Sequence, residues 1–204
     1  TALGTDRASG DELADRMTGR LDEATAAASV LKPYREPLAS AFDALRGREL
    51  AVQRIHGDFH LGQTLRSALT TEDGPGGGHR WWIIDFEGEP VKSAAERRAP
   101  DSVWRDVAGM LRSFDYARSA HAEPDGHEAL SWCAAARTAF LEGYVGGPAS
   151  ASELLRAYEF DKAVYEVVYE VRNRPDWAHI PWRGVQDEVM LATLEASATK
   201  TKEH

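Results

Sequence analysis

Arg54-Ile55-His56-Gly57-Asp58-Phe59-His60-Leu61-Gly62-Gln63, followed further on by Ile83-Ile84-Asp85-Phe86-Glu87-Gly88, are the segments around which the chain is organised. The first places a carboxylate, Asp58, on a tight loop, with an amide, Gln63, five residues later. The second ends an apolar run on another carboxylate, Asp85. If the two segments pair as a hairpin, Gln63 at the start of one strand lies beside Asp85 at the end of the other. An amide oxygen and a carboxylate are hard donors of the kind that hold Mg²⁺ together with bound phosphates. Asp58 is then left to accept a proton from a hydroxyl nucleophile, a division of labour that suits phosphoryl transfer.

Working outward, residues 63–69 and 80–86 read as two short strands, and Trp81-Trp82-Ile83-Ile84 as a deeply buried run. The spacer over 70–79 is rich in Gly and has no helix after it, so it reads as a solvated hairpin tip rather than a phosphate cradle. Helices are expected over 11–31 and 36–46 before the hairpin, and from Asp101 or Ser102 after it. Three more follow over 127–144, from 150 to 172, and over 183–198, with Gly146-Gly147-Pro148 and Pro175 as stops. Residues 1–10 read as a flexible lead-in and 11–204 as one unit. The fold class is mainly α with a small antiparallel β-hairpin (α+β).

Composition narrows the function. The 204 residues carry 24 basic and 33 acidic side chains, a formal charge of −9, which disfavours a nucleic-acid partner. No apolar run approaches the roughly 18 residues of a membrane span, and no charged-then-apolar leader opens the chain. The lone Cys133, in an Ala-rich helix, reads as a buried packing thiol and suits a reducing cytoplasm. Arg97 and Arg98 beside Glu96 read as a solvated charge cluster rather than a phosphate clamp. The chain opens on Thr1 rather than Met, so a longer parent polypeptide is expected.

His-Gly-Asp-x-x-x-x-Gln at 56–63 and Ile-Ile-Asp-Phe-Glu at 83–87 resemble the catalytic and metal motifs of the aminoglycoside phosphotransferase-like kinases, relatives of the protein kinases. The segments at 56–65, 105–117 and 170–177 narrow the resemblance to actinobacterial maltokinases. It implies a protein-kinase-like C-terminal lobe whose N-terminal lobe is absent: nothing before Asp58 reads as a Gly-rich loop or a strand carrying the ATP-gripping lysine. It further implies Asp58 as catalytic base, with His56 buttressing its loop, and Asp85, Gln63 and Glu87 as groups for Mg²⁺. Gln63 stands where most kinases have Asn. Asp106 is implied to hold the catalytic loop by hydrogen bonds, and ATP to be the co-substrate.

The acceptor is expected on the helix over 162–173. Val164, Val167, Val168 and Val171 form its apolar stripe, while Lys162, Tyr165, Glu166, Tyr169, Glu170 and Asn173 gather opposite. Two tyrosines one turn apart offer an aromatic platform for a sugar ring, and the polar groups offer partners for its hydroxyls. His60 and Trp177 are candidates for the same pocket. Maltose is the acceptor that the resemblance implies, giving maltose 1-phosphate; glucosamine or an aminoglycoside is the enzymatic alternative. A non-catalytic docking module, directed at a trehalose synthase-type enzyme, is the rival from another class.

Overall fold

The computed structural model describes residues 4–68, 79–89, 93–147, 152–187 and 189–190. Strand β1 (Asp6–Ser9) leads into helix α1 (Gly10–Ala27) and, after a 3-10 segment, α2 (Arg35–Asp43). β2 (Glu49–Val52) pairs antiparallel with β1, so residues 6–9 of the expected lead-in are a strand. The hairpin follows as β3 (Thr64–Ala68) and β4 (His79–Ile83), then the short α3 (Ala94–Arg98). Helices α4 (Val103–Ser119), α5 (His127–Val145) and α6 (Glu153–Asn173) come next, and a last helix covers 179–187. No helix among the described residues is long and apolar enough to cross a membrane.

Local chemistry accounts for the helix ends. The Ser9 hydroxyl accepts from the Asp11 and Glu12 amides at the start of α1; Ser102 and Ser152 cap α4 and α6 in the same way. α1 stops at Ala27, short of the expected residue 31, and a 3-10 turn running into Pro33 replaces the rest. α5 ends on Gly146 in the left-handed region, φ 75°, whose amide donates to the Glu142 carbonyl. The final helix begins at 179 rather than 183, since Pro181 is tolerated in a first turn. The part of it expected beyond 190 lies outside the described residues, as do most of the Gly-rich tip and the 148–151 link.

Leu13, Met17 and Leu21 of α1, Leu38 and Phe42 of α2, Val107 and Leu111 of α4, and Leu155, Phe160 and Val167 of α6 form the core. Each helix contributes one face at i, i+3, i+4 spacing. Cys133 is buried with its thiol directed at Asp115, and burial first, then that carboxylate, pushes it up to about 11.

Two burial expectations are corrected. Trp81, Trp82, Ile83 and Ile84 are 62%, 50%, 48% and 38% exposed, because a two-stranded ribbon has no further layer to cover its faces. Strand β4 also stops at Ile83, with Asp85 and Phe86 on the turn beyond it. In the last turns of α6, Val171 is exposed whereas Glu166 and Glu170 are buried. The cause lies on the neighbouring helix: the fully buried Arg112 of α4 donates from Nε to Glu166 at 3.0 Å and from Nη1 to Asp115 at 2.9 Å. Burial alone would depress this guanidinium, and Glu166 and Asp115 more than compensate, holding it above its ordinary value.

The last helix closes over this ion pair at Gly184, where an added Cβ would stand 2.1 Å from Arg112 Nη1. Gly184→Ala is expected to destabilise the chain by about 1–3 kcal/mol, the usual cost of overpacking, or more if the buried pair breaks. Urea denaturation followed by circular dichroism measures it; an unchanged midpoint would remove Gly184 as the packing constraint.

Candidate functional site

The His56-Gly57-Asp58 turn is fixed from below by α4. Asp106 accepts the His56 amide at 2.7 Å on Oδ2 and the Gly57 amide at 2.8 Å on Oδ1. Burial pushes the Asp106 carboxyl up, and the two amides pull it back toward the charged form. Gly57 takes φ 85°, which lets two successive amides turn toward one carboxylate. One turn along α4, Gly109 leaves room for the loop: a Cβ there would come within 2.6 Å of the Phe59 carbonyl oxygen. Ser113 Oγ accepts the Leu61 amide at 3.1 Å and extends the same clamp.

His56 is buried, with Nε2 at 2.8 Å from the Ile84 carbonyl and Nδ1 accepting the Asp58 amide at 3.4 Å. Nε2 is therefore the protonated nitrogen. Both ring nitrogens are engaged within the protein, so the ring ties the Asp58 turn to the end of β4 rather than offering a proton to a ligand. Its face meets Phe86 at 4.9 Å between ring centroids.

The hairpin brings the other two motif residues together. β3 and β4 pair with Thr64 opposite Ile83, and the Ile84 amide donates to the Gln63 carbonyl at 3.0 Å. One residue further, Gln63 Nε2 donates to Asp85 Oδ2 at 3.0 Å, so Gln63 Oε1 and Asp85 Oδ1 remain as oxygen donors. Asp85 has φ 63°, a left-handed conformation found in no other non-glycine among the described residues. Glu87 is exposed on the same turn. Among the described residues no group of three or more His, Cys, Asp or Glu is placed to hold a metal ion. A sparse set of carboxylate and amide oxygens nevertheless fits Mg²⁺ that shares its coordination with nucleotide phosphates.

The two motifs meet behind Asp58. A Cβ on Gly57 would lie 3.7 Å from Gly88 Cα, and the next residue, Glu89, is a buried carboxylate that the sequence reading passed over. Glu89 accepts Lys162 Nζ at 3.1 Å and Arg105 Nη2 at 3.2 Å. Its only sequence signal is a carboxylate directly after the Asp85–Gly88 turn. Beside Lys162 a cleft of about 340 Å³ opens, lined also by Arg16, Arg20, Asp161 and Tyr165.

The expected acceptor face is only partly available. Tyr165 and Tyr169 are exposed and stacked, 6.2 Å between centroids, with Lys162 over the first and Arg174 over the second. Trp177 is also exposed and lies against Arg174 and against Tyr116 of α4. Glu166, however, is engaged by Arg112, and Glu170 by Arg174 and the Tyr116 hydroxyl. Asn173 donates to its own helix at the Tyr169 carbonyl, 2.8 Å. His60 uses Nδ1 to accept the Gly62 amide at 3.0 Å, capping a 3-10 turn. Tyr116 gave no sequence signal as a site residue, since it lies on another helix.

The site thus sets a clamped carboxylate turn beside an amide–carboxylate pair. No protein-family model matches, but glucosamine kinases are among the proteins this chain resembles. Over 187 residues the chain is 33% identical to a glucosamine kinase of Streptacidiphilus jiangxiensis, covering 81% of this chain and 40% of that one. A glucosamine kinase of Mycolicibacterium smegmatis is 31% identical over 145 residues, covering 62% of this chain and 32% of the relative. The solved structure of a glucosamine kinase in complex with glucosamine, ADP and inorganic phosphate superposes with a TM-score of 0.71 at 29% identity. That match covers 90% of this chain and 46% of that one. The chain thus spans less than half the length of the relatives it matches. These relatives support a sugar kinase and leave the narrower maltokinase assignment without support.

Asp106→Asn would replace one acceptor oxygen by a donor facing an amide. The variant is expected to lose about 1–3 kcal/mol, the cost of an unsatisfied buried group, and to expose the 54–61 loop to faster hydrogen exchange. Unchanged exchange across that loop would show that the carboxylate does not hold it.

Proposed function

We propose that this chain is the catalytic C-terminal lobe of a sugar kinase with glucosamine as acceptor. The observation that carries the reading is the Asp106-clamped Asp58 turn beside the Gln63–Asp85 pair, in a chain similar to glucosamine kinases over most of its length. The acceptor hydroxyl oxygen forms a bond to the γ-phosphorus of ATP, the bond from that phosphorus to the β-bridging oxygen breaks, and ADP departs. Asp58 accepts the hydroxyl proton. Gln63 and Asp85, with Glu87 on the same turn, are the residues that would hold Mg²⁺, which supplies charge neutralisation on the phosphates. Tyr165, Tyr169 and Trp177 are the surfaces against which a sugar ring stacks.

The absent half of the relatives' length belongs in the same reading. Trp81, Trp82, Ile83 and Phe86 are each about half exposed or more, and behind His56 lies a largely apolar groove of about 400 Å³. An N-terminal lobe that covers the nucleotide accounts for both, since contiguous apolar surface of this kind marks an interaction site.

The test uses the natural polypeptide that carries this segment, incubated with ATP, Mg²⁺ and a mixture of glucosamine, maltose, glucose and kanamycin. Mass spectrometry and ³¹P NMR are expected to show phosphorylated glucosamine, with the rate reduced about 10²–10⁴-fold by Asp58→Asn. Maltose 1-phosphate in its place would return the acceptor to maltose while keeping the catalytic assignments. No product from any sugar would favour the docking module. The 204-residue chain alone is expected to fall well below a kinase rate of about 1 s⁻¹, and turnover at that rate would remove the need for a second lobe.

A further inference from the structure

Three charged groups run without a break from the acceptor side of the site to the catalytic turn. Lys162 Nζ donates to Glu89 Oε1 at 3.1 Å, and Arg105 Nη2 donates to Glu89 Oε2 at 3.2 Å. The same Arg105 nitrogen lies 3.4 Å from the Gly57 carbonyl oxygen, whose peptide leads into Asp58. Arg105 Nη1 is anchored on Asp101 at 3.2 Å, and Asp101 is itself held by the Tyr158 hydroxyl. The Asp106 clamp takes the amide side of this turn, and the Glu89 chain takes its carbonyl side.

We propose, resting on the phosphotransferase reading above, that Glu89 and Lys162 are positioning residues for phosphoryl transfer. Glu89 fixes the Gly57–Asp58 peptide through Arg105, and Lys162 holds the second oxygen of Glu89 so that the carboxylate keeps this orientation. The charges agree with the geometry: burial would lower Lys162, yet Glu89, Glu166 and Asp58 together keep it above its ordinary value. Glu89 also follows Gly88, whose φ of 76° turns the chain back from the Asp85 motif, so one carboxylate ties the metal-side turn to the acceptor side. Mispositioning of a reacting group by about 1 Å is enough to slow a reaction about 10²-fold.

The experiment compares Lys162→Met, Lys162→Arg, Glu89→Gln and the Lys162→Met/Glu89→Gln double variant in the natural polypeptide carrying this segment. Turnover with ATP and glucosamine and hydrogen exchange over residues 54–61 are measured for each. Lys162→Met and Glu89→Gln are expected to lower kcat about 10²-fold with both KM values within about twofold, and to quicken exchange at Gly57 and Asp58. Lys162→Arg is expected to recover most of kcat, and the double variant to fall little further than either single one, as coupled residues do. A loss confined to the glucosamine KM, or additive losses in the double variant, would overturn the proposal. So would exchange at 54–61 unaltered by either substitution, a readout that needs no activity. Failure of the unsubstituted protein to phosphorylate any sugar would instead overturn the phosphotransferase reading, and the exchange data would still decide whether Glu89 fixes the turn.

Discussion

The site depends on one carboxylate that accepts two consecutive backbone amides. Asp106 can receive both the His56 and the Gly57 N–H only if the chain turns sharply between them, and only if the helix bearing Asp106 does not move. The first condition is met by the left-handed Gly57. The second is met by the core: Val107 and Leu111 on the same helix are buried in it, where α4 packs against α6 and α5. Helical packing far from the chemistry thereby becomes the rigidity of a loop that is itself irregular. The clamp also explains why a buried acid is tolerated, because each oxygen is satisfied by an amide that would otherwise be orphaned.

The second motif is built by opposite means. Asp85 does not sit on a buried strand; it follows a two-stranded ribbon with exposed faces, and its position is set by register and by one backbone bond from Ile84 to Gln63. Its left-handed φ then turns the carboxylate onto the Gln63 amide. The His56 ring bridges the two halves by holding the Ile84 carbonyl on one nitrogen and the Asp58 amide on the other. A rigid turn and a less supported ribbon are thus coupled through a buried imidazole, and the geometry of the pair is sensitive to whatever covers the ribbon.

What could be read from the sequence follows from this contrast. The helices were legible because their apolar spacing reports a face, and the hairpin because two short runs flank a Gly-rich spacer. The Gln63–Asp85 juxtaposition was legible because antiparallel register leaves few choices. Burial was less so. Trp81-Trp82-Ile83-Ile84 is apolar enough for a core, yet burial needs a covering layer, and no pattern within the run shows whether one exists. Glu166 and Glu170 fell on the polar side of α6 by periodicity alone, but their cations are Arg112 on α4 and Arg174 beyond the end of α6. Glu89 was passed over for the same reason, since its meaning lies in Lys162 and Arg105, distant in sequence.

The buried pairs decide which groups are left for an acceptor. A carboxylate already satisfied by a guanidinium gains little from a further hydroxyl partner. Glu170 carries two donors of Arg174 and the Tyr116 hydroxyl, so its role is to hold Arg174 flat between Tyr169 and Trp177. Burial first, then Glu166 and Glu170, raises the Tyr116 phenol and keeps it a donor in that arrangement. This end of α6 therefore presents an aromatic surface with its polar groups spent on rigidity.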